Sequence, residues 1–445
     1  MKKIILLQVF ICCAIFLSAQ NVGVGTTAPA YRLDVSGGSI NTDSLYRIEG
    51  KPVLSVSGSG NTFAGINAGI VNTSGLSNTG HGYNTLLSNT TGSGNTALGT
   101  DVLRSNSTGS YNTASGVRSL YFNSVGQWNA AVGYEAMLLN VNGSINTAMG
   151  AGTLYNNTSG SYNAASGGYA LYSNTTGSHN TAGGSAAMYS NTTGSYNTAT
   201  GYGALNRNIS GLYNVADGYT AMEANVSGAG NTAIGYFSLS LTTASNYNTA
   251  LGYRAGYGFD HGWNNTLLGT ESNVQGTGMY NSIAIGSSAR ATASNQVRIG
   301  NTSTISTGGY TSWTNISDGR FKKNIKEDVK GIDFIMKLRP VTYQLDVSSL
   351  SRYLHEPADG MAGAGNPSSL LEKEKIIQTG FIAQEVEKAA KESGYDFSGV
   401  DKPKNENDLY GLRYSEFVVP LVKAIQEQQA EINELKKIIA QLRKQ

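Results

Sequence analysis

Apolar side chains recur at every 17th position through the long central part of the chain. One leucine or methionine stands at each return: Leu86, Leu103, Leu120, Met137, Leu154, Leu171, Met188, Leu205, Met222 and Leu239. Polar positions keep the same step, with a glycine from Gly65 to Gly286 and an asparagine four positions earlier, from Asn61 to Asn265. A fixed short period predicts a solenoid, in which each unit buries its apolar face against its neighbours.

Each unit is expected to form one coil. Seventeen residues are too few for a helix-turn-helix repeat, which takes about 33, and suit two short strands joined by corners rich in Gly and Asn. We expect the corner glycine to take a positive φ and the asparagines to hydrogen-bond from coil to coil. A second glycine track, from Gly75 to Gly228, keeps the same register. The 14 units, at ~4.8 Å each, predict a rod on the order of 65 Å, either an adhesive shaft or a mechanical stalk.

The C-terminal segment 418–445 has a heptad period instead. Its apolar residues are Val418, Ile425, Ile432 and Ile439 at position a, and Leu421, Leu435 and Leu442 at position d. Gln428 is the one polar d residue. This pattern predicts a coiled coil. Ile at a with Leu at d favours a dimer, so the heptads alone leave the number of chains open.

Charge divides the chain near residue 317. Residues 20–316 hold 9 Lys/Arg and 9 Asp/Glu, whereas residues 317–445 hold 20 of each. The 56 glycines and the charged fraction of 13% limit aliphatic cores, but 26 tyrosines argue against disorder. A net charge of +2 predicts neither nucleic-acid binding nor a membrane-surface patch.

The beginning of the chain predicts export. Lys2 and Lys3 precede an apolar run, residues 4–17, and small residues follow, as in a secretory signal peptide covering 1–20. The run is shorter than the ~20 apolar residues of a membrane anchor, so we interpret it as a signal that is removed. We expect no membrane span in the chain that remains. Cys12 and Cys13 both lie in this segment, which leaves the mature chain without disulfide or thiolate chemistry. We expect a secreted or cell-surface protein.

Metal, phosphate and glycosidase sites lack support in the sequence. The histidines, His81, His179, His261 and His355, have no metal-ligand spacing. No glycine loop is followed by Lys-Ser/Thr before a helix, and residues 20–316 contain no paired carboxylates in an aromatic setting. We therefore expect no metal and no cofactor, and an enzyme acting on external glycans is the weakest function considered.

The segment at the charge boundary resembles a known family. Ser317-Asp318-x-Arg320-x-Lys322 resembles the opening motif of the intramolecular chaperone domain at the C-terminus of phage endosialidases and other tail spikes. The resemblance continues through 338–343 (LRPVTY), 379–386 (TGFIAQEV) and 412–417 (LRYSEF). It implies a domain that holds three chains together while the upstream β-structure folds, and then cuts itself off.

The resemblance also implies roles for single residues. Ser317 would be the nucleophile and Lys322 its base, with the scissile bond at Ser317–Asp318. Arg320 and Lys323 would assist electrostatically. A second set, Gln384 and Glu385, lies on an expected helix over 381–392. Both are candidates for binding a partner chain or the released β-structure, although a core-facing helix with exposed carboxylates is the plainer interpretation.

Two further resemblances concern the repeats and the segment before them. Residues 281–300 resemble the head repeats of trimeric bacterial adhesins, which are left-handed β-rolls wound by three chains, and residues 21–40 are similar to the opening of tail-fibre-like proteins. The earlier units resemble the head repeats only loosely, which leaves their handedness and chain number open.

The predicted architecture is mainly β. It comprises a signal peptide (1–20), an N-terminal segment (21–60), a β-solenoid or β-roll (61–300), a linker (301–316), a small α+β chaperone domain (317–417) and a coiled coil (418–445). We predict a homotrimeric fibre or stalk that releases its chaperone by Ser-Lys autoproteolysis. The alternative is a trimeric adhesin with an uncut C-terminal clamp. A cell-surface or glycan receptor is possible for either, and its identity is open.

Overall fold

The structure is a computed structural model that describes residues 22–24, 33–35, 45–311, 313–356 and 367–444. The predicted signal peptide, with Cys12 and Cys13, lies outside the described residues. Strands β1 (Val22–Val24) and β2 (Leu33–Val35) pair in parallel. Strands β3 (Leu45–Ile48) and β4 (Lys51–Ser55) form an antiparallel hairpin, and β4 pairs with the first repeat strand.

A parallel β-solenoid of about 14 turns follows over residues 62–299. Its strands are β5 (Thr62–Ala64), β6 (Thr79–His81), β7 (Thr96–Leu98), β8 (Thr113–Ser115), β9 (Ala130–Val132), β10 (Thr147–Met149), β11 (Ala164–Ser166), β12 (Thr181–Gly183), β13 (Thr198–Thr200), β14 (Val215–Asp217), β15 (Thr232–Ile234), β16 (Thr249–Leu251), β17 (Thr266–Leu268), β18 (Asn273–Val274), β19 (Ile283–Ile285), β20 (Arg290–Ala291) and β21 (Val297–Ile299). From β5 to β19, each strand of the main sheet pairs with residues 17 positions away, as Thr96 does with Thr113. The last step is shorter, because Ile283 pairs with Val297.

Most coils contain one strand, so the expectation of two strands per coil is wrong. The opposite side of each coil is built from turns, and a second pair of strands forms only late, between β18 and β20. The turns lie at the leucine and methionine positions of the 17-residue repeat, where the backbone φ is positive: Leu103 has a φ of 49° and Met137 a φ of 50°. Extended strands need negative φ, so these residues bend the chain while their side chains point into the coil.

The solenoid core is closed within one chain. The middle residue of nearly every strand is small and buried, as Ala97 and Ala114 are, and the predicted leucine and methionine track packs beside it, with Leu103 and Met137 fully buried. Each coil therefore buries its apolar side chains against the coils before and after it, as the repeat predicted.

The predicted asparagine ladder is confirmed. Asn112 donates its backbone N–H to Asn95 Oδ1 at 3.0 Å, and its Nδ2 donates to the same oxygen at 3.1 Å. The Nδ2 group also donates to the Gly126 carbonyl at 2.9 Å. Because these buried amides are satisfied from coil to coil, the ladder fixes the register of the stack.

A second asparagine ladder explains the second glycine track. Asn106 Nδ2 donates to Asn89 Oδ1 at 2.8 Å and to the Gly109 carbonyl at 2.9 Å. The same carbonyl accepts from Asn95 of the first ladder at 2.9 Å. A Cβ at Gly109 would lie 2.4 Å from Asn106 Oδ1 and 2.5 Å from the Gly126 carbonyl oxygen, so only glycine fits where the two ladders meet.

Aromatic side chains stack in columns on the outside of the solenoid. His179 lies between Tyr162 and Tyr196, with ring centroids 4.8 Å apart on either side and nearly parallel planes. Their faces are covered by the rings of neighbouring coils. The columns therefore stabilise the stack and present mainly ring edges to solvent.

The C-terminal region is a small α+β unit. It contains α1 (Ile332–Ile335), β22 (Val341–Tyr343), α2 (Val347–Tyr353), α3 (Pro367–Glu374), β23 (Gln378–Gly380), α4 (Ala383–Glu392), β24 (Val400–Asp401), β25 (Gly411–Leu412) and the long helix α5 (Val418–Leu442). Strand β22 pairs antiparallel with β23, and β24 with β25. Phe334, Val386, Phe397 and Phe417 are at the centre of its core.

Helix α5 projects from this unit. Its first turns pack on α1, where Pro420 and Ala424 are buried and Glu427 accepts the backbone N–H of Ile332 at 2.7 Å. The predicted a and d residues along the rest of the helix are exposed, among them Ile432 and Leu435. Among the described helices, none has both the length and the apolar character needed to cross a membrane.

Candidate functional site

A tight turn brings Ser317 and Lys322 together. Residues 319–321 form a single 3-10 turn. Asp318 caps it by accepting the backbone N–H of Arg320 at 2.9 Å, and Lys322 donates its own N–H to the Gly319 carbonyl at 3.2 Å. The chain is thereby reversed over five positions. As a result, Lys322 Nζ donates to Ser317 Oγ at 2.8 Å, which is hydrogen-bonding distance between a serine nucleophile and a base.

Arg320 is directed at Asp318. Its Nε and Nη2 atoms donate to Asp318 Oδ2 at 2.9 and 2.5 Å. Hydrogen bonds from Arg320 lower the pKa of Asp318, and the same bonds raise the pKa of Arg320. The pair holds the turn closed and keeps a carboxylate directly after Ser317. Lys323 is exposed, and no hydrogen bond within the described part of the chain joins it to Ser317 or Lys322.

The site is open to solvent in a single chain. Ser317 and Lys322 are both exposed, and so are the large apolar side chains around them, with Ile316 96% and Phe321 77% accessible. A lysine can act as a base only when its amine is neutral, which takes desolvation or a neighbouring cation. The serine and lysine side chains are therefore in contact, whereas the dry surroundings that a lysine base needs are not provided by one chain.

The residues of the second predicted set lie on helix α4. Helix α4 begins at Ala383 rather than at 381. Glu385 pairs with Arg339 through two hydrogen bonds, of 2.5 and 3.0 Å, and these lower the pKa of Glu385. Gln384 is exposed. Among the described residues, no hydrogen bond or ion pair connects either residue to Ser317 or Lys322.

A polar cluster that sequence reasoning missed joins the C-terminal unit to the solenoid. Asp408 accepts hydrogen bonds from Thr292 Oγ1 at 2.6 Å and Gln296 Nε2 at 2.9 Å. Burial works to raise the pKa of Asp408, but these bonds and two backbone N–H donors outweigh it, and the pKa lies below the ordinary value. The partners are more than 100 positions apart in sequence, and no periodic signal links them.

A second contact of this cluster uses Glu356 and Lys373. Glu356 accepts from both the backbone N–H of Thr302, at 3.0 Å, and its hydroxyl. Lys373 Nζ donates to the carbonyls of Thr302 and Thr304 at 2.7 and 2.6 Å. Burial lowers the pKa of Lys373. Within the described ranges, no group of three or more His, Cys, Asp or Glu side chains is placed to hold a metal ion.

Comparison with known proteins places the site at the start of a family domain. Residues 317–395 match the family described as chaperone of endosialidase, in the S74 peptidase group. The match begins at Ser317, the serine that Lys322 contacts. No curated protein matches the chain. With this domain following a β-solenoid of repeats, the chain is a tail-fibre-like protein whose C-terminal region carries a chaperone domain of the endosialidase type.

Proposed function

We propose that the chain is an exported fibre or stalk whose C-terminal domain holds three copies together during folding and then separates itself by cleavage at Ser317–Asp318. The observation that carries the proposal is the 2.8 Å contact between Lys322 Nζ and Ser317 Oγ. It lies at the first residues of the matched chaperone region. Export is supported by the signal-peptide pattern of residues 1–20.

The proposed reaction is an acyl transfer to serine. Lys322 takes the proton of the Ser317 hydroxyl, and the oxygen attacks the carbonyl carbon of the Ser317–Asp318 bond, which forms an ester as the Asp318 amine takes up the proton and leaves. Water then hydrolyses the ester and regenerates the serine. An attack by Ser317 on its own carbonyl would close a strained β-lactone. The attacking hydroxyl is therefore that of a neighbouring copy of the chain.

Trimer formation supplies what the single chain lacks. The exposed heptad side chains of α5 provide an apolar seam, and the exposed residues Ile316 and Phe321 would be covered by neighbouring copies. Such cover would provide the dry surroundings that a lysine base needs. Holding three chains together also raises their local concentration, so slow non-local β-stacking can begin in register.

The alternative function is a permanent trimer clamp that never cuts. The solvent exposure of both Ser317 and Lys322 favours it, because a lysine base needs surroundings from which water is excluded. The clamp would use the same helix α5 and the same domain contacts. The two functions differ in one covalent bond, and a single experiment distinguishes them.

The experiment is a denaturing gel of residues 21–445 beside single variants. Cleavage predicts fragments 21–317 and 318–445 from the natural sequence and one full-length band from Ser317→Ala and from Lys322→Ala. The matched controls, Thr314→Ala and Lys326→Ala, change a nearby exposed hydroxyl residue and a nearby exposed lysine and should cut normally. Intact masses identify the broken bond. A single full-length band from the natural sequence would contradict cleavage and favour the permanent trimer clamp.

A further inference from the structure

The C-terminal unit docks on the solenoid at a position where a further coil would otherwise lie. The last strand of the stack is β21, and the residue before it is Gln296. In the coils from Asn61 to Asn265, an asparagine precedes the strand and bonds to the coils on either side. Gln296 occupies this ladder position at the end of the stack, and its side chain donates to Asp408.

Backbone groups at the end of the stack are satisfied in the same way. Within the solenoid, backbone groups on the turn side bond to the next coil, as Thr175 N–H does to the Thr192 carbonyl. The carbonyl of Thr292 accepts from Asn405 Nδ2 at 2.9 Å, and those of Thr302 and Thr304 accept from Lys373. The C-terminal unit thus caps an end that would expose unpaired polar groups.

The contacts are buried enough to matter energetically. Asp408 is 6% exposed and Thr302 5% exposed. Hydrogen bonds to charged groups are stronger than neutral ones, and a buried polar partner left alone is costly. Separating the two units would uncover Asp408 and the carbonyls at the solenoid end together.

The covalent connection takes no part in this docking. The linker that follows Thr304 is exposed throughout its described residues, 305–311 and 313–316, with Trp313 88% accessible. No hydrogen bond from those linker residues reaches either unit. Ser317 and Asp318 lie beyond the linker, away from the docking residues in sequence and without contact to them among the described residues.

We propose that docking outlasts cleavage, so that the severed C-terminal domain remains on the solenoid as a non-covalent end cap. The partner is the C-terminal end of the solenoid, residues 283–304, recognised through Asp408, Glu356, Lys373 and Asn405. That the chain is cut at Ser317–Asp318 rests on the proposed function, whereas the binding of the two units does not. Cleavage and release are then two separate events, and the second is governed by these polar contacts.

The test cuts the linker artificially. A protease recognition sequence is inserted between Gly308 and Gly309, where the chain is exposed and added atoms meet no neighbour at Gly308. The background carries Ser317→Ala, so the outcome does not depend on self-cleavage. After complete digestion, size-exclusion chromatography at about micromolar concentration should give one species containing both pieces. Separate elution of the pieces from the folded protein would overturn the proposal.

Interface variants show which contacts hold the pieces. The double variant Asp408→Ala with Lys373→Ala should weaken binding of the cut pieces by at least about tenfold and reduce hydrogen-exchange protection over 283–304. The matched control, Asp328→Ala with Lys375→Ala, changes exposed charges of the same domain and should behave as the parent. If the interface variant is folded by circular dichroism and its pieces stay together as the parent's do, the assigned contacts are wrong. Failure of Ser317 to cut in the natural chain would leave both results standing.

Discussion

At the scale of single residues, the solenoid depends on positions where backbone and side chains from adjacent coils nearly touch. Gly143 is one of these, because a Cβ there would lie 2.4 Å from Asn140 Oδ1 and 2.5 Å from the Gly160 carbonyl oxygen. Gly168 sits in the same solenoid, and a Cβ there would meet no atom within 4 Å. Comparing substitutions at these two glycines therefore distinguishes the effect of steric crowding from the general effect of replacing a glycine.

We expect Gly143→Ala to lower the free energy of unfolding by about 1–3 kcal/mol, because the added methyl group pushes adjacent coils apart. Gly168→Ala should change it little or raise it slightly, since alanine restricts the unfolded chain. Chemical denaturation followed by circular dichroism measures both. Equal destabilisation by the two substitutions would show that the close approach at Gly143 is not what selects glycine.

Asp408 gives the docked state a defined pH dependence. Its pKa in the folded chain is held below the ordinary value of 3.8. Its contribution to docking is therefore complete above that pH and is lost as the pH falls below 3.8 through the lowered pKa. We expect the bound fraction of the artificially cut protein to fall in this acid range. Asp408→Asn keeps an acceptor oxygen without the titration, so the part of the change due to Asp408 should be absent in that variant.

At the scale of elements, the two asparagine ladders join each coil to the next along the solenoid axis. Asn146 bonds to Asn129 on one side and accepts from Asn163 on the other. Asn146→Ala keeps the backbone N–H bond to Asn129 but removes the oxygen that accepts from the backbone N–H of Asn163. Leaving this buried donor without a partner should cost about 1–3 kcal/mol. Asn142→Ala, at an exposed position of the same coil, should stay within about 0.5 kcal/mol of the parent. Urea unfolding curves of the two variants test this difference, and coincident curves would contradict it.

Much of the solenoid could be predicted because its physical requirements repeat in the sequence. The leucine track, the corner glycines and the first ladder each appear at a fixed step, and the structure confirms all three. The second ladder, from Asn72 to Asn225, carried the same signal. Its period could have identified it, since buried asparagines need partners at the same step.

Other features were not predictable from local sequence preferences. Leucine disfavours the left-handed region, yet Leu103 adopts it because the turn places its side chain in the core. That tertiary demand replaced the expected second strand with a turn. Ser317 and Lys322 lie only five positions apart and meet across one turn, whereas Asp408 and Thr292 are brought together only by the folded domains.

At the scale of the whole molecule, assembly and cleavage are expected to fail together. Ile432 is an exposed a residue of α5, and Ile432→Lys should weaken trimer formation because it places a cation in the seam. In the proposed mechanism the attacking serine belongs to a neighbouring copy, so the same variant should also cleave more slowly. Ala430→Lys adds the same charge at an exposed heptad position outside the seam and should leave both properties unchanged. Sedimentation velocity and a denaturing gel measure the two effects, and normal cleavage by a monomeric Ile432→Lys would contradict the coupling.

The constant step between coils has a consequence for the gene. Insertion or loss of 17 codons within residues 62–268 would return every ladder asparagine, corner glycine and core leucine to its place, since neighbouring strands pair 17 residues apart. Recombination between repeats could therefore lengthen or shorten the shaft in whole-coil increments while the reading frame and both ends are retained. In-frame changes of other sizes would displace both ladders at once. Natural length variants should accordingly differ by multiples of 17 residues. The shorter final coil is the exception, because Gln296 there bonds to Asp408 of the C-terminal unit.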